Sequence, residues 1–399
     1  GIIERAVARG IPLRVVFLTN GDFNERSFAV YRKHPVIEPR AVLAMGRIRR
    51  DEALAAAAIL KVPAACVAFL GYPDFGTLQI WEAHWGERPP FESYLTEKTQ
   101  VPYQHAVSFG APYKGEAILK DLTDQIRNFQ PTQVYVSHPA DHHPDHRALF
   151  LFTQVALWNL GMQPKVFPYL IHRAGWPLPH GFHPEQPLTA PGDLDEVREW
   201  TRVPLPAAGV ALKRKALEAH KTQFEYSAEA LLSFARVNEL FGAIPPFEGR
   251  TGNRVTMGGD TGSLSSNAPV ELLETERGRF VSIAITAVRW DPSVLEIELV
   301  VDRWHPEVEV SLFVFPYRAD MPFGTLPKLR IKLREQSEQA LDQGQPLPAG
   351  TLELRRQGNQ VRVRIPTRQL QDPEKLFLAA QSQLGPVPLD HTPWRTGSR

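Results

Sequence analysis

Apolar residues follow two different periods along this chain. Through the first 247 residues, short runs rich in Val, Ile and Leu alternate with longer segments whose apolar residues recur at helical spacing. This alternation indicates an α/β fold, in which a parallel sheet is covered by helices. The predicted strands are 14–19, 66–70, 133–137 and 165–171, and the predicted helices are 45–60, 115–129, 144–160, 209–223 and 228–241.

After residue 270 the period changes to two, because Val281, Ile283 and Ile285 alternate with polar or small residues. Alternating strands separated by turns predict a β-sandwich over residues 271–399. Residues 248–270 are rich in Gly, Ser, Thr and Asn and have no apolar period, so we interpret them as a linker after a first domain at 1–247. The same alternation returns at 295–301, 308–314, 329–333, 352–354 and 361–365.

Charge and composition exclude several classes of function. The 45 Lys and Arg residues nearly balance the 44 Asp and Glu residues, and no basic run forms a stripe that could follow a phosphate backbone. The single cysteine cannot form an internal disulfide. The longest apolar stretches fall well short of the roughly 18–20 residues that a membrane span needs. We therefore expect no nucleic-acid partner and no transmembrane segment, whereas the sequence determines neither the compartment nor the oligomeric state.

The densest group of catalytic residue types lies at 137–148, between a predicted strand and a predicted helix. Four of the 13 histidines fall within nine residues there. Pro144 suits the first helical position, which makes His143 the helix cap and places Asp145 and His146 in the first turn. Loops at the carboxyl ends of parallel strands surround the binding crevice of such sheets. We interpret this segment as an active site, with a solvated polar loop as the alternative.

Polar residues follow two other predicted strands. Asn20, Gly21 and Asp22 come after the first strand, and residues 71–74, ending in Asp74, come after the second. Each group alone is explained by turn formation, since Gly, Asn, Asp and Pro are common in turns. Taken with the histidines, they indicate three loops that meet at one edge of the sheet.

These segments resemble the LmbE-like or PIG-L de-N-acetylases, which are zinc hydrolases that remove acetyl groups from N-acetylglucosamine-type sugars. The resemblance covers about residues 1–247, does not reach the β-rich remainder, and implies a Rossmann-like form of the parallel sheet. The matching segments are 18–22, 49–52, 70–74, 143–148 and 213–223.

The resemblance implies a role for particular residues. It implies that His146 is a ligand of Zn²⁺, that His143 is a catalytic histidine, and that Asp145 orients it. Asp22, Arg49 and Asp74 would line the sugar site, and the substrate would be a small molecule or a glycan.

The chain also departs from the family pattern. The signature A-H-P-D-D-E, which in the family supplies a histidine and an aspartate to zinc and a second aspartate as general base, does not occur in the sequence. Residues 1–4 resemble the tail of the helix start that follows this signature. We therefore expect the chain by itself to keep one of three protein ligands of zinc, to lack the general base, to bind zinc poorly and to be almost inactive.

Several features have a structural and a functional interpretation. The tetrad 260–263 spells Asp-Thr-Gly-Ser, as in aspartic proteases, but its setting among Gly and Ser favours a turn. The aromatic residues of 72–113 would either fill a core or form a stacking wall for a sugar. Trp290 and Trp304, beside arginines, would mark a carbohydrate face or ordinary packing. The alternative to an enzyme is a non-catalytic carbohydrate-binding or structural protein on a degenerate deacetylase fold.

Overall fold

The computed structural model describes residues 1–23, 38–194, 197–248 and 272–398. The chain forms two compact units. The first consists of Gly1–Ser137, His142–Pro191 and Trp200–Phe241, and the second consists of His138–Asp141, Gly192–Glu199 and Gly242–Arg399.

The first unit alternates helices with short strands. Its helices are α1 (Ile2–Ala8), α2 (Pro39–Ile59), α3 (Thr77–Ala83), α4 (Gly115–Phe129), α5 (Pro144–Asn159), α6 (Ala207–Glu218) and α7 (Lys221–Leu232). Its strands are β1 (Val15–Thr19), β2 (Val67–Tyr72), β3 (Gln133–Ser137), β4 (Lys165–Tyr169), β5 (Trp200–Pro204) and β6 (Asn238–Gly242).

The predicted parallel pairing is confirmed for four strands. β1 pairs with β2, with Val15 opposite Val67, and β3 pairs with β4 from Gln133 opposite Lys165 to Ser137 opposite Tyr169. Within the described residues these are separate two-stranded sheets, as is the pair of β5 and β6. A mixed α/β unit is therefore confirmed, and one continuous Rossmann-like sheet stays a prediction.

The end of the first unit differs from the prediction of helices over 209–223 and 228–241. His220 has non-helical dihedral angles, φ −81° and ψ 63°, and separates α6 from α7. The prediction of helix up to residue 241 is wrong, because residues from Asn238 onward form β6. The side chain of Asn238 accepts the N–H of Leu188 at 2.7 Å and donates to its carbonyl at 3.1 Å. A contact across 50 residues cannot be recognised from local periodicity.

The aromatic residues between positions 72 and 113 mostly fill the core of the first unit. Trp81 and Trp85 are fully buried, and their rings pack edge to face with centroids 5.9 Å apart. Tyr72, Tyr103 and Tyr113 are also buried, whereas Tyr94 is exposed. The core interpretation therefore holds for the buried rings.

The second unit is rich in strands, as predicted. Its elements are β7 (Phe247–Glu248), α8 (Glu274–Arg277), β8 (Ile283–Trp290), β9 (Val294–Val301), β10 (Val308–Tyr317), β11 (Leu329–Leu333), β12 (Glu338–Asp342), β13 (Gln345–Pro346), β14 (Glu353–Gln357), β15 (Gln360–Pro366), β16 (Lys375–Leu384), β17 (Val387–His391) and β18 (Arg395–Ser398).

The strands of the second unit form two sheets. One sheet has the order β13-β12-β11-β10-β16-β18-β7 with β17 paired to β16, and the other has the order β14-β15-β9-β8. Apolar residues of both sheets form one core, in which Leu312, Ile331 and Leu378 of the first sheet join Ile285 and Val363 of the second. A β-sandwich is our interpretation of this shared core.

The two tryptophans considered as a carbohydrate face take part in packing. Trp290 is buried in the core of the second unit. Trp304 donates through Nε1 to the carbonyl of Gly358 at 3.0 Å, and the Arg356 guanidinium lies 3.5 Å from its ring centroid. Ordinary packing therefore accounts for Trp290.

The division at residue 247 and the linker remain predictions. Phe247 and Glu248 form β7 in the second unit, and residues 249–271, including the tetrad at 260–263, lie outside the described residues. Of the helices in the described ranges, none has the length and hydropathy required to cross a bilayer.

Candidate functional site

The first turn of α5 carries the predicted catalytic pair. Pro144 occupies the first helical position, where its missing N–H leaves no hydrogen bond unmade. His143 is the cap, and its Nδ1 accepts the backbone N–H of Asp145 at 3.3 Å. The same Nδ1 lies 3.9 Å from Oδ2 of Asp145. An imidazole and a carboxylate therefore meet where the sequence predicts them.

The Asp145 carboxylate is fixed by the turn that begins α3. Its Oδ2 accepts the N–H of Phe75 at 2.7 Å, and its Oδ1 accepts the N–H of Thr77 at 3.1 Å and the Thr77 hydroxyl. The Phe75 ring lies against the His143 ring, with centroids 4.5 Å apart. Because both oxygens already accept hydrogen bonds, the carboxylate is held in one orientation beside His143.

Asp22 and Asp74 join Asp145 as predicted, and all three carboxylates are buried. Oδ2 of Asp74 accepts the backbone N–H of Phe23 at 2.9 Å. Asp22 accepts a hydrogen bond from the Tyr103 hydroxyl. The residues after β1 and β2 therefore meet the start of α5, which places three acidic side chains in one site.

Burial changes how these carboxyl groups titrate. Loss of solvent raises the pKa of Asp22 to about 6, although the hydrogen bond from Tyr103 and the charge of Arg49 lower it. Loss of solvent also raises the pKa of Asp74 well above its ordinary value, and repulsion from Asp145 and Asp22 adds to this shift. The site therefore favours a proton or a cation beside these carboxylates.

Arg49 reaches the site from α2. Its Nη1 donates to the carbonyl of Gly21, beside Asp22, and its Nε donates to the hydroxyl of Thr222 at 3.3 Å. Thr222 in turn donates its N–H at 2.8 Å and its hydroxyl at 2.7 Å to the carboxylate of Glu52. One buried threonine at the start of α7 therefore links Arg49 and Glu52, the first and last residues of the segment 49–52.

One group of side chains could hold a metal ion within the described ranges. Asp74, His143 and Asp145 each offer a ligand atom, and these atoms lie within 4.8 Å of one another. His146, the ligand implied by the resemblance, lies next to this group with its ring centroid 5.0 Å from that of His143. Nitrogen from imidazole and oxygen from carboxylate are both ligands that zinc accepts.

A third imidazole, which the sequence analysis did not single out, completes a cluster with His143 and His146. The ring centroid of His172 lies 5.2 Å from that of His143 and 5.0 Å from that of His146. A signal was present in the sequence, because His172 directly follows the predicted strand 165–171.

Tyr103 and Thr222 are two further site residues. The sequence analysis assigned Thr222 no role and placed Tyr103 only among the aromatic residues of 72–113, as core or as a stacking wall. Thr222 lies in the segment 213–223 that carried the resemblance, so its position could have been noticed. Tyr103 comes from a loop 81 residues away from its partner Asp22, and no local pattern marks it.

The first 157 residues match a known protein family. The match is to the model described as PIG-L, GlcNAc-PI de-N-acetylase, over residues 1–157. These residues form a PIG-L domain. The six residues that the sequence analysis assigned to the site all lie within this domain, whereas His172 and Thr222 lie beyond it.

Solved structures are similar to a larger part of the chain than the PIG-L domain. The conserved protein TT1542 from Thermus thermophilus is 17% identical, with a TM-score of 0.36, and the match covers 64% of this chain and 91% of that one. The A40926 pseudoaglycone deacetylase Dbv21 is 17% identical with a TM-score of 0.36, covering 60% of this chain and 88% of that one. A deacetylase of teicoplanin biosynthesis is 15% identical with a TM-score of 0.37, covering 60% and 89%.

Proposed function

We propose that this protein is a zinc-dependent deacetylase, and the chain by itself, in which the signature A-H-P-D-D-E does not occur, stays predicted to be almost inactive. It would hydrolyse the acetamide of an N-acetylglucosamine-type sugar or conjugate and release acetate and a free amine. The observation that carries the proposal is the pair of His143 and Asp145, fixed by the first turn of α3, in a site that also holds Asp22 and Asp74. The PIG-L domain supports the same reaction class.

The donors present in the site suit zinc. His146 would hold the ion, with the imidazole of His143 adjacent and the carboxyl of Asp74 close by. Asp145 is a poorer ligand, because its oxygens already accept hydrogen bonds from Phe75 and Thr77. When bound, zinc would polarise the acetamide carbonyl and lower the pKa of a water molecule, whose deprotonated form would attack the carbonyl carbon.

His143 would act as the acid that protonates the leaving amine. An imidazole has an ordinary pKa near neutrality, so it can carry a proton at physiological pH. The charge of the Asp145 carboxylate, 3.9 Å from Nδ1, would stabilise the protonated ring, and the backbone N–H of Asp145, which donates to Nδ1 at 3.3 Å, would orient the neutral ring. The hydrogen bonds to Asp145 prevent it from turning away from the ring as the proton moves.

Asp22, Arg49 and Asp74 would bind the sugar. Carboxylates accept hydrogen bonds from sugar hydroxyls, and a guanidinium donates to them. The contacts of Arg49 with Gly21 and Thr222 hold its side chain in place before substrate arrives.

Acetate release from a panel of soluble N-acetylglucosamine conjugates, measured with the full-length protein and added zinc, tests this proposal. We expect turnover that falls about 10²- to 10⁴-fold in His143→Ala, since that is the usual contribution of a general acid. His180→Ala is the matched control, because His180 is an exposed histidine outside the cluster. Zinc-independent binding of the same conjugates without acetate release would instead support the non-catalytic carbohydrate-binding alternative.

A further inference from the structure

We infer that a cavity in the second unit binds the phosphate group of a small phosphate monoester. The cavity has a volume of about 310 Å³ and is lined by Glu309, Lys332, Arg334, Ser337 and Gln339. This volume lies at the lower end of the usual range for ligand sites, about 300–1,000 Å³, and therefore suits a small molecule. The inference is independent of the proposed deacetylase function, because all five residues lie in the second unit.

The alternation of side chains along β11 brings cationic residues to one face of the sheet. Ile331 and Leu333 are buried in the core that the two sheets share. Arg330, Lys332 and Arg334 occupy the alternate positions and lie on the opposite face. Residues two apart on a strand are separated by about 6.6 Å, so these three positive charges form a short row. Because charges of one sign repel each other at this distance, the row favours negative charge beside it.

The Glu309 carboxylate of β10 contacts all three cations. Its oxygens lie 3.2 Å from Nη2 of Arg330, 3.4 Å from Nζ of Lys332 and 3.2 Å from Nη2 of Arg334. The Glu309 side chain is only 6% exposed, so it meets these cations away from bulk solvent. One carboxylate carries a single negative charge, and the group of four side chains therefore has two excess positive charges.

Arg330 is the cation that compensates Glu309 most directly. Besides its contact with the carboxylate, its Nε donates to the hydroxyl of Ser311 at 3.0 Å and its Nη2 donates to Oε1 of Gln383 at 3.3 Å. Arg330 does not line the cavity, whereas Lys332 and Arg334 do. Within the part of the chain that the structure describes, neither Lys332 nor Arg334 has an ion-pair partner other than Glu309. The two excess charges therefore lie at the cavity.

The donors around the cavity match a phosphate monoester. Such a group carries a charge of about −1.5 to −2 at neutral pH, which balances two excess positive charges. The Arg334 guanidinium suits bidentate hydrogen bonding to phosphate oxygens, and the Lys332 ammonium supplies a point charge. The Ser337 hydroxyl and the Gln339 amide offer neutral donors in the same cavity. A carboxylate carries only one negative charge and would leave one excess positive charge.

Isothermal titration calorimetry of the full-length protein with glucose 6-phosphate tests the inference. The measurement is made at low ionic strength, because salt screens interactions between exposed charges. We expect glucose 6-phosphate to bind more tightly than glucuronate, which carries a carboxylate, and glucose to show no binding at the same concentrations. Inorganic phosphate should bind more weakly than glucose 6-phosphate, because the free ion leaves most of the cavity unfilled. No binding of glucose 6-phosphate, or tighter binding of glucuronate or of inorganic phosphate, would overturn the inference.

Substitutions in the cavity separate charge from packing. Lys332→Met and Arg334→Gln should each weaken the binding of glucose 6-phosphate by about 10- to 100-fold, because each removes a hydrogen bond between charged groups. Lys332→Arg keeps the charge and should bind nearly as tightly as the wild type.

Arg362→Gln is the matched control, because Arg362 is an exposed arginine of the other sheet. This variant should bind glucose 6-phosphate like the wild type. Unchanged affinity in both Lys332→Met and Arg334→Gln would place the ligand elsewhere and overturn the inference. An equal loss in Arg362→Gln would show that the anion responds only to the net charge of the protein, which would also overturn it.

Discussion

The hydroxyl of Thr222 joins α2 to α7, and removing it should destabilise the first unit. This group donates to Glu52 at 2.7 Å and accepts from Arg49 at 3.3 Å, and both Thr222 and Glu52 are buried. Thr222→Val keeps the shape of the side chain and removes both hydrogen bonds. The backbone N–H of residue 222 still reaches Glu52 in the variant.

The magnitude follows from the charges involved. A hydrogen bond to a charged group contributes about 1.5–3 kcal/mol, and a buried charged group that loses one partner adds to the cost. The longer bond from Arg49 contributes at the low end of that range. We therefore expect Thr222→Val to lower the free energy of unfolding by about 2–4 kcal/mol. Thr222→Ser keeps the hydroxyl and loses one methyl group, which costs about 1 kcal/mol.

Differential scanning calorimetry of the full-length protein is the appropriate assay, because a chain with two compact units need not unfold in one step. The transition of the first unit should shift down by about 5–15 °C in Thr222→Val and by only a few degrees in Thr222→Ser. A double-mutant cycle with Glu52→Gln should give a coupling of at least about 1 kcal/mol. Equal stability of Thr222→Val and wild type, or equal losses in the Val and Ser variants, would show that the hydroxyl does not stabilise the contact between the two helices.

Three further changes test the packing and the charges around the site. Burial raises the pKa of Asp22 from 3.8 in the unfolded chain to about 6 in the folded metal-free protein, so the folded state binds a proton more tightly than the unfolded state does. The free energy of unfolding should therefore fall by up to about 3 kcal/mol as pH rises from 4 to 6, and urea titrations should show a smaller fall in Asp22→Asn. In Gly46→Ala the new Cβ would collide with the Tyr103 hydroxyl and lie 3.0 Å from Cβ of Asp22, so thermal unfolding should show a loss of about 1–3 kcal/mol in the free energy of unfolding. The control Gly209→Ala, whose new Cβ would lie 3.4 Å from Cδ of Pro206, should be neutral or slightly stabilising. Asp145→Asn should reduce acetate release by less than His143→Ala and leave zinc content unchanged, because Asp145 orients the imidazole; loss of zinc in Asp145→Asn would make Asp145 a ligand.

Local patterns in the sequence predict those strands and helices of the first unit whose ends are set by their own residues. The strand 133–137 and the helix 115–129 coincide with β3 and α4, and Pro144 marks the start of α5. The region near Asn238 could not be predicted, because its conformation depends on hydrogen bonds to Leu188 across 50 residues. The conformation of such a segment is determined by hydrogen bonds between distant residues, which leave no periodic pattern in the local sequence.

The second unit shows the same limit. Alternation at 295–301 predicts β9, and alternation at 308–314 lies within β10. The alternating segments do not reveal the order of the strands within the sheet. β10 lies between β11 and β16, and its residue Val314 pairs with Leu378, which is far away in the sequence. Only the folded chain shows which alternating segment is adjacent to which.

Much of the candidate site could be predicted because its residues sit in recognisable short segments. His143, Asp145 and His146 share one turn, and Asp22 and Asp74 each follow a predicted strand. His172 also follows a predicted strand, but a single histidine there does not identify a site, and Tyr103 has no such segment around it. The pairing of β3 with β4 brings His172 to the site. Tyr103 comes from a loop and contacts Asp22, which is 81 residues away in the sequence.

Zinc and His143 have separate roles in the acetamide hydrolysis that we propose. Zinc content and acetate release, measured together in full-length wild-type protein, His143→Ala and His146→Ala, separate the two roles. We predict that His146→Ala loses zinc and activity, whereas His143→Ala retains about one equivalent of zinc and loses about 10²- to 10⁴-fold in turnover. Equal loss of zinc in both variants, or full turnover in His143→Ala, would contradict this division of roles.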